Sequence, residues 1–316
     1  MALRFYDFEF NLIHIEPRFV SSSWSIRHSA PGTFEAHFPI ESEVLSVVAQ
    51  NKYLVAVQGD FAAIVTGYDT HDDFAVYGRT CNWILSKRIV LPFEEISDNG
   101  GSIAYRLVSD AFGDVSNFIS ESVSVGEAIT FSKQNPATVL DAVTDCLAQV
   151  SLGHEVRFDI ENKQWVFKVT ASKQNDLVIS ESLKNASDTA ITADILDRAD
   201  CGYYEKRTEA ADGSTTQSYE YLCNSDVASG IYRWEALLSG SSESEGKSSL
   251  MTKKENSTLT LNTHDILYGT DYSLGDIVRV QFTKGALKKT EKKRICGVDI
   301  QYKNAEKFEQ PVFEEV

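Results

Sequence analysis

Tyr272-Ser273-Leu274-Gly275-Asp276-Ile277-Val278-Arg279-Val280-Gln281-Phe282 gives the architecture of this chain away. A polar turn containing Gly275-Asp276 opens directly into two interleaved rows, Ile277, Arg279 and Gln281 against Val278, Val280 and Phe282. Successive side chains on a strand point to opposite faces, and glycine supplies a bend that a Cβ would obstruct, so this is a turn feeding a β-hairpin. After a Lys-rich tip, a second alternating run from Ile295 to Tyr302 is expected to return as the partner strand. Gly59 to Val90 reads the same way, as strand, turn, strand and then a short helix. Neither stretch has the form of a catalytic motif; both are joints of a β architecture.

Away from these joints, roughly the first 125 residues are strand-rich by the same period of two. Leu3, Phe5, Phe8 and Phe10 mark an aromatic opening strand, and Ser23–Arg27 alternates before Ser29-Ala30-Pro31-Gly32 turns the chain into Thr33–Phe38. Strands are expected at Tyr53–Val57, Ala62–Thr66 and Phe74–Tyr77, the last running into Gly78. Asn82–Ile89 reads as a short helix with Trp83 and Ile84 inward and Lys87 and Arg88 outward. The clearest helix is Pro136–Leu152, with Asn135 as N-cap, Pro136 in the first position and Gly153 as the stop. Its apolar face is Val139, Leu140, Val143, Leu147 and Val150, opposite Asp141 and Asp145. A hairpin follows, Val156, Phe158 and Ile160 against Trp165, Phe167 and Val169 about Asn162-Lys163. Another pairs Tyr203–Arg207 with Tyr219–Leu222 across Ala211-Asp212-Gly213-Ser214, and the Ser-rich stretch Ser239–Ser249 is expected to be a mobile loop. The fold class is therefore mainly β with some α, with β-rich modules at 1–130 and 176–316 flanking a helix-plus-hairpin segment at 131–175.

Composition narrows the function. The 316 residues suffice for about two domains, and 42% hydrophobic with 11% aromatic content is that of a folded chain. Thirty Lys plus Arg against 46 Asp plus Glu leave a net charge of −16, which argues against a general nucleic-acid binder. The opening segment carries Arg4, Asp7 and Glu9, which interrupt any signal-peptide apolar core, so cytoplasmic synthesis without a membrane anchor is expected. Cys81, Cys146, Cys201, Cys223 and Cys296 show no CxxC spacing, and buried free thiols are the expectation.

Candidate chemistry is sparse. Asp69, His71, Asp72 and Asp73 put one imidazole among three carboxylates, but between two strands, where Asp and Thr are ordinary turn formers. His14, His28, His37, His154 and His264 form no HxH or HExxH pair, and no GxSxG, GxxxxGK[ST] or GxGxxG motif is present. Trp24, Trp83, Trp165 and Trp234 are spread along the chain as core or interface anchors rather than a glycan platform. Gly275-Asp276 lacks the further carboxylates of a cation loop. No catalysis, metal or cofactor is expected. The local charge reversal Lys284 to Arg294, with Lys284, Lys288, Lys289, Lys292, Lys293 and Arg294, is either a solvated hairpin tip or a contact for an acidic neighbour or passing DNA.

In this order, the pieces resemble the tail hub or baseplate hub family of tailed bacteriophages and phage-derived injection machines, the siphophage tail-tip proteins in particular. Trp24 with Ser29–Phe38, including Gly32, is similar to the family's opening Trp strand, turn and second strand. Gly59 to Gly67 resembles its glycine-bounded apolar strand, and Gly78 to Val90, with Arg88, its short helix followed by Arg-Ile/Val. Gly275 and Asp276, with Arg294, Ile295 and Val298, resemble its closing hairpin; the pattern is departed from between Cys223 and Asn262. The resemblance implies two tube-like β-barrel modules per subunit and a homotrimeric ring with pseudo-sixfold symmetry in the virion tail tip. A tail tube or distal tail protein would sit above and a central fibre or spike below, with tape-measure protein and DNA in transit. The alternative is a receptor- or carbohydrate-binding β-sandwich of a tail tip; a cell-wall hydrolase ranks below both.

Overall fold

A computed structural model of the chain describes residues 2–71, 74–120, 124–209, 215–224, 229–303 and 306–316. The N-terminal strands are β1 (Leu3–Asp7), β2 (Leu12–Glu16), β3 (Ser21–Arg27), β4 (Thr33–Phe38), β5 (Leu54–Gln58), β6 (Phe61–Asp69) and β7 (Phe74–Thr80). Through the middle run β8 (Ile89–Val90), β9 (Phe93–Asn99), β10 (Phe118–Ser120), β11 (Ala128–Lys133), β12 (Ala137–Thr138), β13 (Leu152–Asp159) and β14 (Gln164–Ala171). Next come β15 (Gln174–Ser180), β16 (Ala186–Asp194), β17 (Cys201–Glu209), β18 (Thr215–Cys223) and β19 (Glu235–Leu238). The chain closes with β20 (Asn256–Thr263), β21 (Ile277–Lys284), β22 (Leu287–Lys303) and β23 (Glu306–Glu315). The α-helices are α1 (Val44–Gln50), α2 (Gly100–Phe112), α3 (Val139–Ala148) and α4 (Glu243–Met251).

The chain is mainly β, and its two ends meet in one 11-stranded sheet ordered β15-β21-β22-β3-β4-β7-β6-β5-β1-β2, with β23 also on β22. The junction is β22 against β3, Ile300 opposite Trp24 and Gly297 opposite Arg27. Strands from the two ends of the chain thus lie side by side. Where layers cover both faces of a strand, alternation gives way to a continuous apolar run. Leu-Val-Ala-Val-Gln of β5 is buried throughout, with Leu54 and Ala56 entering one core and Val55 and Val57 the other. The first core joins β1, β3, β4 and β7 to β21 and β22; the second is closed by α2, α3, β13 and β14.

Several sequence expectations are corrected. The run Gly100–Phe112, passed over among strands, is helix α2, whose Ile103, Ala104, Leu107, Val108 and Phe112 are buried on one face. The helix expected over Pro136–Leu152 begins at Val139: the Thr138 side chain, not Asn135, caps it by accepting from the Asp141 N–H at 3.1 Å. Ala137 and Thr138 are taken up in a short pairing with Val90 and Ile89, which fixes the helix start. The segment after Thr80 is a 3₁₀ helix, Cys81–Lys87. Within the stretch expected to be a loop, α4 forms because Ser242 accepts from the Glu245 N–H and Glu243 and Glu245 occupy the first turn. The closing hairpin is also re-registered. Ile277 pairs with Arg294 and Lys284 with Leu287, so the Lys-rich tip is itself strand. Residues 297–303 pair with β3 on one side and β23 on the other.

Candidate assembly surfaces

The motif residues are positions of close approach. Trp24 is buried between Phe34 and Phe61, with ring centroids 4.3 and 5.8 Å away. Its Nε1 donates to Gln58 Oε1 at 2.7 Å, and Ser22 Oγ donates to the same oxygen at 2.8 Å. A Cβ on Gly32 would overlap the Ser25 carbonyl, and one on Gly78 the Ile64 carbonyl. The Gly32 N–H donates to Thr80 Oγ1 at 2.7 Å, so these two glycines and Thr80 form one tight crossing. Gly67 lies under the Tyr77 ring, its partner in register. Arg88 donates to both Asp114 carboxylate oxygens, at 2.9 and 3.1 Å, and lies over Phe112 at 5.5 Å, tying the 3₁₀ segment to the end of α2.

Gly275 and Asp276 sit at another junction. Gly275 has φ +86°, and a Cβ there would press on the His28 ring, as would one on Gly153. The His28 N–H donates to the Cys296 carbonyl at 2.7 Å, so this ring is where β3, the hairpin of β13 and β14, and the closing hairpin meet. Burial and Arg294 lower the His28 pKa. The neighbouring His154 is pushed down to about 4, first by its own burial and then by His28. The Asp276 carboxylate accepts from the Ser273 N–H and from Asn175 Nδ2, both at 2.9 Å, and braces the turn. Trp24, Gly32, Gly67, Gly78, Arg88, Gly275 and Asp276 therefore do not converge on one cavity.

The basic residues separate into two groups. Lys293 is 1% exposed, held by Glu291 at 2.8 Å and by Glu315. Lys289 pairs with Glu291, and Arg294 with Glu314 at 3.0 Å. Lys284, Lys288 and Lys292 are exposed and, among the described residues, have no ion-pair partner. They stand on a two-stranded arm: β15 supports β21 only as far as Gln281, and β23 reaches β22 only from Lys293 onward. Every residue from Thr283 to Thr290 is exposed, including Leu287.

Two further surfaces escaped the sequence reading. Strand β2 ends the main sheet with one edge unpaired among the described residues, and exposes Leu12, Ile13 and Ile15 at 49, 40 and 47%. Apolar residues adjacent to one another rather than alternating were the available signal, since they load both faces of a strand. A cleft of about 660 Å³ lies between the β5–β6 turn and β13, with Phe61, Phe158 and Tyr268 inside and Asp60, Glu155 and Glu161 along it.

Of the remaining candidates, Asp69 and His71 hydrogen-bond to each other in an exposed turn, while Asp72 and Asp73 lie outside the described residues, as do Ala211–Ser214. Among the described residues no group of His, Cys, Asp and Glu is placed to hold a metal ion. Trp24 and Trp165 are buried, Trp83 is half-buried beneath Lys87, and Trp234 is partly exposed. No helix among the described residues is long and apolar enough to cross a membrane.

The model of the Siphovirus ReqiPepy6 Gp37-like protein family matches residues 2–247, and the chain belongs to that family. No curated protein matches it in sequence. Among solved structures it is similar to the 43 kDa tail protein of prophage MuSo2 from Shewanella oneidensis, with TM-score 0.59 and 9% identity over 100% of this chain and 98% of that one. A tail protein from Neisseria meningitidis MC58 gives TM-score 0.59 and 11% identity over 99 and 96% of the two chains. Prophage tail protein gp18 from Listeria monocytogenes EGD-e gives 0.58 and 11% over 99 and 94%. At such identities the likeness is one of fold, and the fold is that of phage tail proteins.

Proposed function

We propose that this member of the siphovirus ReqiPepy6 Gp37-like family is a structural hub of the phage tail tip or baseplate. In this reading three copies close into a ring with pseudo-sixfold symmetry, and the modules at 1–130 and 176–316 alternate around it. The ring joins the tail tube or distal tail protein to a central fibre or spike, and passes tape-measure protein and then DNA. The net charge of −16 suits such a conduit, because an acidic wall repels phosphates rather than capturing them.

The observation that carries the reading is the open, apolar edge of β2 at the end of the main sheet. Unpaired edges of this kind invite another chain, and a ring satisfies them while leaving none exposed. The arm supplies a second contact. Its lysines and Leu287 would meet a cleft with aromatic residues and four carboxylates, Asp60, Glu155, Asp159 and Glu161, which outnumber its two arginines, Arg27 and Arg157. Leu274, which lines that cleft, lies just before β21, whereas the arm's tip at Gly285 is eight residues beyond Ile277. Along a strand that is roughly 25 Å, so the arm would enter the cleft of a neighbouring copy, not its own. Such a head-to-tail contact generates a ring.

Light scattering with negative-stain class averages across a concentration series tests this. A particle of three chains with an open centre is expected, and Ile13→Lys is expected to reduce it to single chains that keep the far-ultraviolet circular dichroism of the folded protein. Single chains at every concentration would overturn the reading.

One face favours the second reading, a receptor- or carbohydrate-binding module. The sheet ordered β18-β17-β19 exposes Tyr203, Tyr219, Tyr221 and Leu237, with the Tyr203 and Tyr221 rings 4.8 Å apart. Aromatic faces beside carboxylates suit sugar rings. Thermal stabilisation of single chains by a glycan would support it, and loss of that effect in Tyr221→Ala would locate it.

A further inference from the structure

Cys201 and Cys223 stand directly opposite each other where β17 and β18 pair. The Asn224 N–H donates to the Asp200 carbonyl at 3.0 Å. Hydrogen-bonded and non-hydrogen-bonded positions alternate along an antiparallel pair, so the neighbouring Cys201–Cys223 position is of the non-hydrogen-bonded kind. There the Cα atoms lie about 4.5 Å apart with the side chains drawn together, within the Cα range of about 4.4–6.8 Å that a disulfide spans. Cross-strand partners project to the same face, so the two sulfurs need no backbone movement to meet.

We propose that Cys201 and Cys223 are a reversible disulfide site, thiols in a reducing cytosol and cross-linked once the protein meets a low-molecular-weight disulfide outside it. Exposure sets the order of events: Cys223 is exposed and Cys201 buried. The Cys223 thiolate attacks a sulfur of glutathione disulfide, breaking its S–S bond and releasing one glutathione thiol. The Cys201 sulfur then attacks the mixed disulfide at the Cys223 sulfur and releases the second. Both protein protons end on the two glutathione thiols; the protein pair is oxidised and glutathione disulfide reduced. What sets this pair apart is the register that brings the two cysteines face to face. Burial raises the pKa of the Cys201 thiol, as it pushes those of Cys81 and Cys146 up to about 12 and that of the half-buried Cys296 up to about 11, so the exposed Cys223 is the thiol that reacts first.

The sheet holding this pair has reason to need a cross-link. Among the described residues its own buried core is Tyr204, Leu238 and Leu250, with Leu222 and Ala236 half-buried against them, a small core for three strands. A bond closing a loop of about 20 residues restrains the unfolded hairpin and so steadies β17 and β18. The compartments fit: disulfides persist outside cells and are reduced within them.

The test uses the full chain. After incubation with glutathione disulfide and alkylation of the remaining thiols, peptide mapping is expected to find a Cys201–Cys223 linked pair, lighter by two hydrogens. Alkylation should then be lost at these two cysteines alone. Amide exchange through β17 and β18 is expected to slow roughly tenfold in the oxidised protein. The Cys223→Ser variant, altered at an exposed position, is expected to show neither change. Glutathione retained on Cys223 with Cys201 still alkylated, or two chains joined through Cys223, would overturn the proposal.

Discussion

The main sheet and the sheet of β17, β18 and β19 use the same alternation to opposite ends. In the main sheet both rows of β5 are buried, and those of β1 and β6 in part, one row entering each of two large cores. In the smaller sheet one row, with Tyr204 and Leu238, packs on α4, and the other row, with Tyr203, Tyr221 and Leu237, faces outward. A strand's pattern reports how many of its faces are covered, and the number of layers stacked on it decides how much stability each residue carries. The main sheet is thus the rigid frame, and the smaller sheet an attachment whose outer face is free for contact.

The largest test of that contrast is Trp24→Ala. It removes a fully buried ring and leaves Gln58 with Ser22 as its remaining partner, so a loss of about 4 kcal/mol in urea unfolding is expected. A loss below about 1 kcal/mol would show that the frame does not depend on this core.

Acid should weaken the frame next. His154 is held neutral by burial, its pKa pushed down to about 4, well below the ordinary histidine value. The unfolded chain binds that proton first, so stability is whole above about pH 6.5 and falls as the pH drops toward 4, by up to about 3 kcal/mol. His28, also lowered by burial, acts in the same direction. Unfolding midpoints measured from pH 7 to 4 check this; an unchanged midpoint would place His154 in water.

Smaller effects belong to the attachment. Tyr204→Phe removes the hydrogen bond from its hydroxyl to Glu220, 2.6 Å long, and about 1 kcal/mol is expected, read as faster amide exchange in β17 and β18 with the main transition unmoved. Leu237→Ser, on the outward row at 82% exposure, is expected to change stability by less than about 0.5 kcal/mol. A larger loss would mean that this face is already covered within the chain.

Much of the frame was legible because its signals are local. Pro31-Gly32, Gly78 and Gly275-Asp276 mark close approaches or turns by residue type alone, and the rows of β13, β14 and β21 could be read by eye. Helix α2 was hidden by Gly100-Gly101 at its start, although Ile103, Leu107 and Phe112 carry the helical spacing. The smaller sheet's hairpin was legible as Tyr203–Arg207 against Tyr219–Leu222, but not that its tyrosines face out. The basic cluster was legible as a charge reversal, but which lysines are free was not. Glu291 is a local neighbour, whereas Glu314 and Glu315 arrive on β23, paired only in the folded chain.

Composition, alternation and turn residues sufficed to establish a mainly β chain with a glycine-braced closing hairpin, since each depends on contacts within a few residues. That β22 should lie against β3, that β2 should be left as an apolar edge, and that Cys201 should face Cys223 required the folded chain. Strand order and register are settled by side chains that meet across hundreds of residues or by the exact alignment of a pair, and a period of two is the same whichever neighbour a strand finds.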